Sequence, residues 1–89
     1  MIRKQLTIIN KLGLHARAAA KFVGLASKFE SEIQLIKGDQ KVNGKSIMSV
    51  MMLAAGKGTE MDLHATGGDE EEAATQLMTL VNERFGEKE

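Results

Sequence analysis

The chain has 89 residues, too few for a second folding unit, so one domain over residues 1–89 is expected. The absence of cysteine excludes disulfides, thiolate metal sites and thiol nucleophiles. Twelve Lys+Arg balance twelve Asp+Glu and the only aromatics are three Phe, which leaves no broad basic footprint or base-stacking platform for nucleic acid and no polybasic patch for a membrane. No apolar run reaches the ~20 residues of a membrane span, and MIRKQLTIIN lacks a signal peptide's apolar stretch and small-residue cleavage site. The expected location is the cytoplasm. Size scaling predicts about 5,100 Å² of exposed surface and about 64% of the unfolded chain's surface buried, enough for one modest core.

From Ile2 to Ile8 the residues Ile2, Leu6 and Ile8 fall on one side of an extended chain and Arg3, Gln5 and Thr7 on the other, with Lys4 as the misfit. That period of two predicts a strand. Asn10 to Gly13 reads as a turn. The span Ala16 to Ser27 is Ala-rich and places Ala19, Phe22, Val23 and Ala26 at three- and four-residue spacing, an amphipathic helix. Ile33, Leu35 and Ile36 precede Gly38-Asp39, and Gln40–Val42 follow, a pattern that suits a hairpin with a type II′ turn. Ser46 stands before Ile47, Met48, Val50, Met51 and Leu53 as the N-cap of a short helix, which Gly56 and Gly58 are expected to stop. Met61, Leu63 and Ala65 alternate with polar residues in a further strand. Asp69-x-x-Glu72 has the spacing of a capping box and opens a helix with Ala73, Leu77, Leu80, Val81 and Phe85 on one face. Glu70, Glu71 and Glu72 lie near its positive end. The order is β-α-β-β-α-β-α, an α+β chain with a four-stranded antiparallel sheet and three helices on one face.

The most informative stretch is Lys11 to Ala18, where His15 sits at the passage from turn to helix and Arg17 follows two residues later. The first amides of a helix lack intrahelical partners and point outward, so an anion is stabilised there. Arg17 adds a permanently charged fork that matches phosphate oxygens. A neutral imidazole nitrogen is a competent nucleophile. The three together fit a transient phosphohistidine, and the plain alternative is a weak helix-capping histidine.

Gly13-Leu14-His15-Ala16-Arg17-Ala18-Ala19-Ala20 resembles the active-site motif of the HPr family, the phosphocarriers of the bacterial phosphoenolpyruvate-dependent phosphotransferase system. Lys45-Ser46-Ile47-Met48-Ser49-Val50-Met51 is similar to that family's second, regulatory segment. The likeness covers the chain in length, element order and both motif positions. The family often has proline after the motif arginine; here Ala18 stands there and keeps helix propensity without proline's rigidity. The resemblance implies an open-faced β-sandwich and a phosphoryl group accepted on Nδ1 of His15 from phospho-Enzyme I. It implies onward transfer to a histidine of an A-type (EIIA) acceptor domain, with Arg17 neutralising the group and the amides of Ala16 and Arg17 cradling it. It also implies phosphorylation of Ser46 by an HPr kinase/phosphorylase, set against a plain N-cap role. No cofactor or metal is called for, and the expected state is a monomer. The nitrogen-related paralogue NPr carries the same motif and fold and stays open.

Gly44-Lys45-Ser46 is not the end of a P-loop, because the Walker spacing needs glycine at position 39 and Asp39 is there. The helix after Ser46 carries more apolar side chains than one buried face requires. Val50 and Leu53 are assigned to the core, and Ile47, Met48 and Met51 to a pliable docking surface for partners. Lys21, one turn beyond Arg17, would extend a basic rim toward an acidic partner, and His64 reads as a solvated strand residue. Two other classes stand beside the carrier: a regulatory binding module without phosphotransfer, working through Met48, Met51 and Ser46, and a small RNA-binding domain, which the charge balance disfavours.

Overall fold

In the computed structural model, which describes residues 1–89, the chain runs β1 (Ile2–Thr7), α1 (Ala16–Ala26), β2 (Glu32–Lys37), β3 (Gln40–Asn43), α2 (Ile47–Met52), β4 (Glu60–Thr66) and α3 (Glu70–Asn82), then a 3-10 turn at Arg84–Gly86. The predicted element order is therefore met. The sheet has the order β1-β4-β2-β3 and every pairing is antiparallel. β4 thus lies between β1 and β2, and β2 between β3 and β4. Two β-α-β units, β1-α1-β2 and β3-α2-β4, each leave room for a strand of the other.

The alternation read from the sequence sorts the two faces. Leu6, Ile33, Leu35, Met61, Leu63 and Ala65 are buried, while Gln5, Asp62 and Lys41 face outward. Leu35 pairs with Leu63 and Leu6 with Met61. The helices close the apolar face with Ala18, Ala19, Phe22, Val23 and Ala26 of α1 and Ala73, Ala74, Leu77 and Val81 of α3. Small residues on α1 let it sit close to its neighbours, and the result is one cluster of 22 buried hydrophobic residues. The folded chain exposes 5103 Å², as its size predicts. Lys4, the misfit, stays exposed on the edge strand β1. Gly38 has φ +57 and Asp39 has no positive φ, the combination a type II′ turn requires.

Three expectations are corrected. Asp69 does not cap its own helix with its side chain. Its carboxylate instead accepts from the backbone N–H of Glu30 and of Ser31, each at 2.9 Å, and from Ser31 Oγ at 2.5 Å. The glutamate that reaches back is Glu70, accepting from Gly67 N–H at 3.1 Å, while Glu72 accepts from Gln76. α2 is stopped before the glycines, by Ala54 at φ +50. The last helix ends at Asn82, and Arg84 and Phe85 adopt left-handed φ values of 58 and 56. That conformation costs an L-residue about 1–2 kcal/mol, offset here because it turns the fully buried Phe85 ring into the core.

The Ser31 hydroxyl, followed by the Glu30 amide, holds the Asp69 carboxyl below the usual carboxylate range. A lowered folded-state pKa gives stability that is fully present above the unfolded value near 3.8 and is lost as pH falls through the lower, folded value. Asp69→Asn is therefore expected to weaken the fold at neutral pH and to flatten stability against pH below about 4. Denaturant unfolding at pH 7 and in steps down to 2 measures it; an unchanged acid slope would show that Asp69 is not the linked group.

Candidate functional site

The loop before α1 is pinned by Asn10. This side chain is fully buried, and its Nδ2 donates to the Gly13 carbonyl at 2.8 Å and to Glu87 Oε1 at 3.0 Å. Gly13 N–H returns a bond to the Asn10 carbonyl at 3.2 Å, so one residue closes the turn from both sides. Gly13 has φ +67 and lies so close to the next segment that an added Cβ would stand 2.8 Å from Gly56 Cα. Only glycine meets both demands. Leu14 N–H then bonds the Ala55 carbonyl at 2.8 Å, fixing where α1 starts.

His15 is the N-cap of α1, with φ −72 and ψ 177, and its carbonyl accepts the first helical bond from Ala19 at 2.9 Å. Its side chain makes no capping bond, which sets aside the reading of a mere capping histidine. The amides of Ala16 and Arg17 take no backbone carbonyl of the preceding loop. The imidazole is 28% exposed, and Nε2 pairs with Glu87 Oε2 while Nδ1 has no hydrogen-bond partner in the chain. Arg17 is exposed, and its guanidinium is committed to no ion pair or hydrogen bond.

His15, Ala16 and Arg17 line an open cleft of about 780 Å³ together with Lys11, Leu12, Glu87, Lys88 and Glu89. The tail is tied across it, with Lys11 N–H donating to the Glu89 carbonyl at 2.5 Å and Lys11 Nζ 3.5 Å from the Glu89 carboxylate. Hydrogen bonds from Asn10, and then from His15, hold the Glu87 carboxyl below its ordinary pKa, with a smaller charge contribution from Lys21. Unspent amides, an uncommitted guanidinium and a free imidazole nitrogen meet at one mouth, an arrangement able to receive a tetrahedral anion.

The remaining sequence candidates lie elsewhere. Lys21 does not line the cleft; its Nζ donates to the Phe85 carbonyl at 2.7 Å and so braces the tail. Ser46 is the N-cap of α2, its Oγ accepting from Ser49 N–H at 3.3 Å. Val50 and Leu53 are buried as predicted, while Ile47, Met48 and Met51 are 43%, 76% and 41% exposed. Met52 and Leu12, exposed to 71% and 66%, were not assigned to the surface from the sequence. α2 packs on α1, which places this apolar surface on the same side of the molecule as the helix that carries His15. His64 is half-buried on the uncovered sheet face, opposite Arg3 and Gln34, and has no part in the cleft. The sequence alone does not single out Asn10 or Glu87; the asparagine at the head of the Asn10–Gly13 turn is the available signal for the first, and the acidic tail residue offers none.

The family model described as "PTS HPr component phosphorylation site" matches residues 2–83. The phosphocarrier protein HPr of Neisseria meningitidis is 55% identical over 89 residues, with all of both chains covered. The phosphocarrier protein NPr of Shewanella violacea is 41% identical over 86 residues, covering 97% of this chain and 94% of its own. The crystal structure of HPr-C-His from Thermoanaerobacter tengcongensis superposes with a TM-score of 0.96 at 48% identity, both chains fully covered. The fold, the motif around His15 and these likenesses agree, and the chain belongs to the PTS HPr family of phosphocarriers.

Proposed function

We propose that His15 accepts a phosphoryl group on Nδ1 from phospho-Enzyme I and hands it to a histidine of an A-type (EIIA) acceptor domain. The observation that carries this reading is the free Nδ1 of His15 at a helix start beside the uncommitted Arg17. The Nδ1 lone pair attacks phosphorus, the N–P bond forms, and the bond from phosphorus to the donor breaks with its electron pair returning to the donor. The unpaired amides of Ala16 and Arg17 face the negative oxygens, and the Arg17 fork spreads their charge. Return transfer uses the same contacts in reverse, so a carrier needs no metal or cofactor for the step.

Partners dock on the apolar surface of Ile47, Met48 and Met51, whose methionines adapt to differently shaped faces. Lys21, exposed beside the cleft but tied to Phe85, contributes charge to the rim rather than a contact with phosphate. Ser46 lies at the start of the α2 helix that bears this docking surface, so a phosphate there would put about two negative charges at the interface without removing the oxygen acceptor that caps α2. We place regulation by an HPr kinase/phosphorylase at that hydroxyl. The carrier acts as a monomer in the cytoplasm.

The test is transfer of label from phosphoenolpyruvate through Enzyme I, offered in its sugar-type and its nitrogen-type forms. A higher kcat/KM with one of them assigns the chain to that branch, and no labelling with either overturns the carrier reading. Arg17→Ala is expected to lower kcat/KM about a hundredfold, the scale of removing one donor from a developing anion, with the melting temperature little changed. A loss below threefold would remove Arg17 from the site.

A further inference from the structure

We propose that Glu87, itself held by Asn10, is a positioning residue that fixes the His15 ring with the proton on Nε2 and the lone pair on Nδ1. The inference deepens the carrier reading and rests on it. An ionised carboxylate has only acceptor sites, so the nitrogen paired with Glu87 Oε2 must be the donor. Nε2 therefore carries hydrogen, and in the neutral ring Nδ1 is left as the nucleophile with no competing bond.

The support beneath the carboxylate is specific. Asn10 Nδ2 divides its two hydrogens between the Gly13 carbonyl and Glu87 Oε1. Asn10 Oδ1 is buried without a partner, a cost accepted at no other side chain of the protein. Rotating the amide to satisfy that oxygen elsewhere would aim it at the Gly13 carbonyl and the Glu87 carboxylate. The same asparagine thus sets the loop that starts α1 and the carboxylate that orients the ring. When phosphorylation at Nδ1 leaves positive charge on the imidazole, that charge lies on the ring whose Nε2–H already faces Glu87, and the same carboxylate balances it.

The test uses the full-length protein with Glu87→Ala and Glu87→Gln, since residue 87 lies outside the hydrophobic core and both variants should fold. Nitrogen-15 spectra of the unphosphorylated protein read the ring directly. Wild type should show Nε2 protonated, with its proton slowed in exchange; Glu87→Ala should lose that slowing, and Glu87→Gln, which keeps an acceptor oxygen, should retain part of it. In transfer from phospho-Enzyme I, kcat should fall about tenfold in Glu87→Ala with KM changed less than twofold, and recover partly in Glu87→Gln. A ring protonated at Nδ1 in the wild type, or unchanged exchange and kcat in Glu87→Ala, would overturn the proposal while leaving His15 as the acceptor. A wild type that shows the Nε2–H signature but takes up no phosphoryl group would overturn the carrier reading, and with it the purpose of the clamp.

Discussion

His15→Ala is expected to abolish phosphoryl acceptance while leaving a folded protein. The side chain is partly exposed, caps nothing and contributes no bulk to the hydrophobic cluster. Its backbone role, the carbonyl that starts α1, survives truncation to alanine. Label from phosphoenolpyruvate and Enzyme I should fall to background, and the melting temperature should stay within about 5 °C of wild type. The other histidine offers no substitute, because His64 lies on the sheet face away from any helix start. Equal labelling of the variant would contradict the assignment, and loss of folding would show that the ring supports the structure in a way its contacts do not reveal.

Phe85→Ala should carry the largest cost in stability. The ring is fully buried, and it is delivered by two left-handed residues whose strain is retained when the ring is removed. Large-to-small changes of this kind cost about 3–5 kcal/mol, a large part of the stability expected for 89 residues. The midpoint of urea unfolding should drop with little change in slope. Because the Phe85 carbonyl accepts from Lys21 and Glu87 follows two residues later, the variant should also loosen the contact between Glu87 and His15. A loss under about 1.5 kcal/mol would mean that the cavity collapses or that the tail is not anchored by this ring.

The strands and helices were legible because each buries one face, so period two and period 3.6 appear directly in positions such as Met61, Leu63 and Ala65 or Phe22, Val23 and Ala26. The placement of His15 and Arg17 was legible for a different reason: the roles proposed for them depend on the neighbouring helix start, which lies within a few residues in sequence. Ser46 also spoke locally, and its cap is where the pattern placed it. Asp69 did not. Its residue type and spacing fit a capping box, yet a carboxylate can satisfy any nearby donors, and the fold brings the Glu30 and Ser31 amides to it from 39 and 38 positions away. The end of α3 is not legible in the sequence, because Phe85 continues the apolar spacing and nothing in Arg84 or Phe85 as residue types announces a left-handed turn. That turn decides where Glu87 goes. Its contact with a histidine 72 positions earlier is a product of tertiary packing, and the sequence holds no periodic trace of it.

Phosphoryl carriage by this chain depends on one nitrogen at the start of α1. The most direct measurement is to phosphorylate the wild-type protein with phosphoenolpyruvate and Enzyme I, then locate the group by peptide mapping and by phosphorus–nitrogen coupling in the nitrogen-15-labelled chain. The expected result is a single acid-labile, base-stable phosphoryl group on Nδ1 of His15. A group found on Nε2 of His15, on His64 or on a hydroxyl would contradict it.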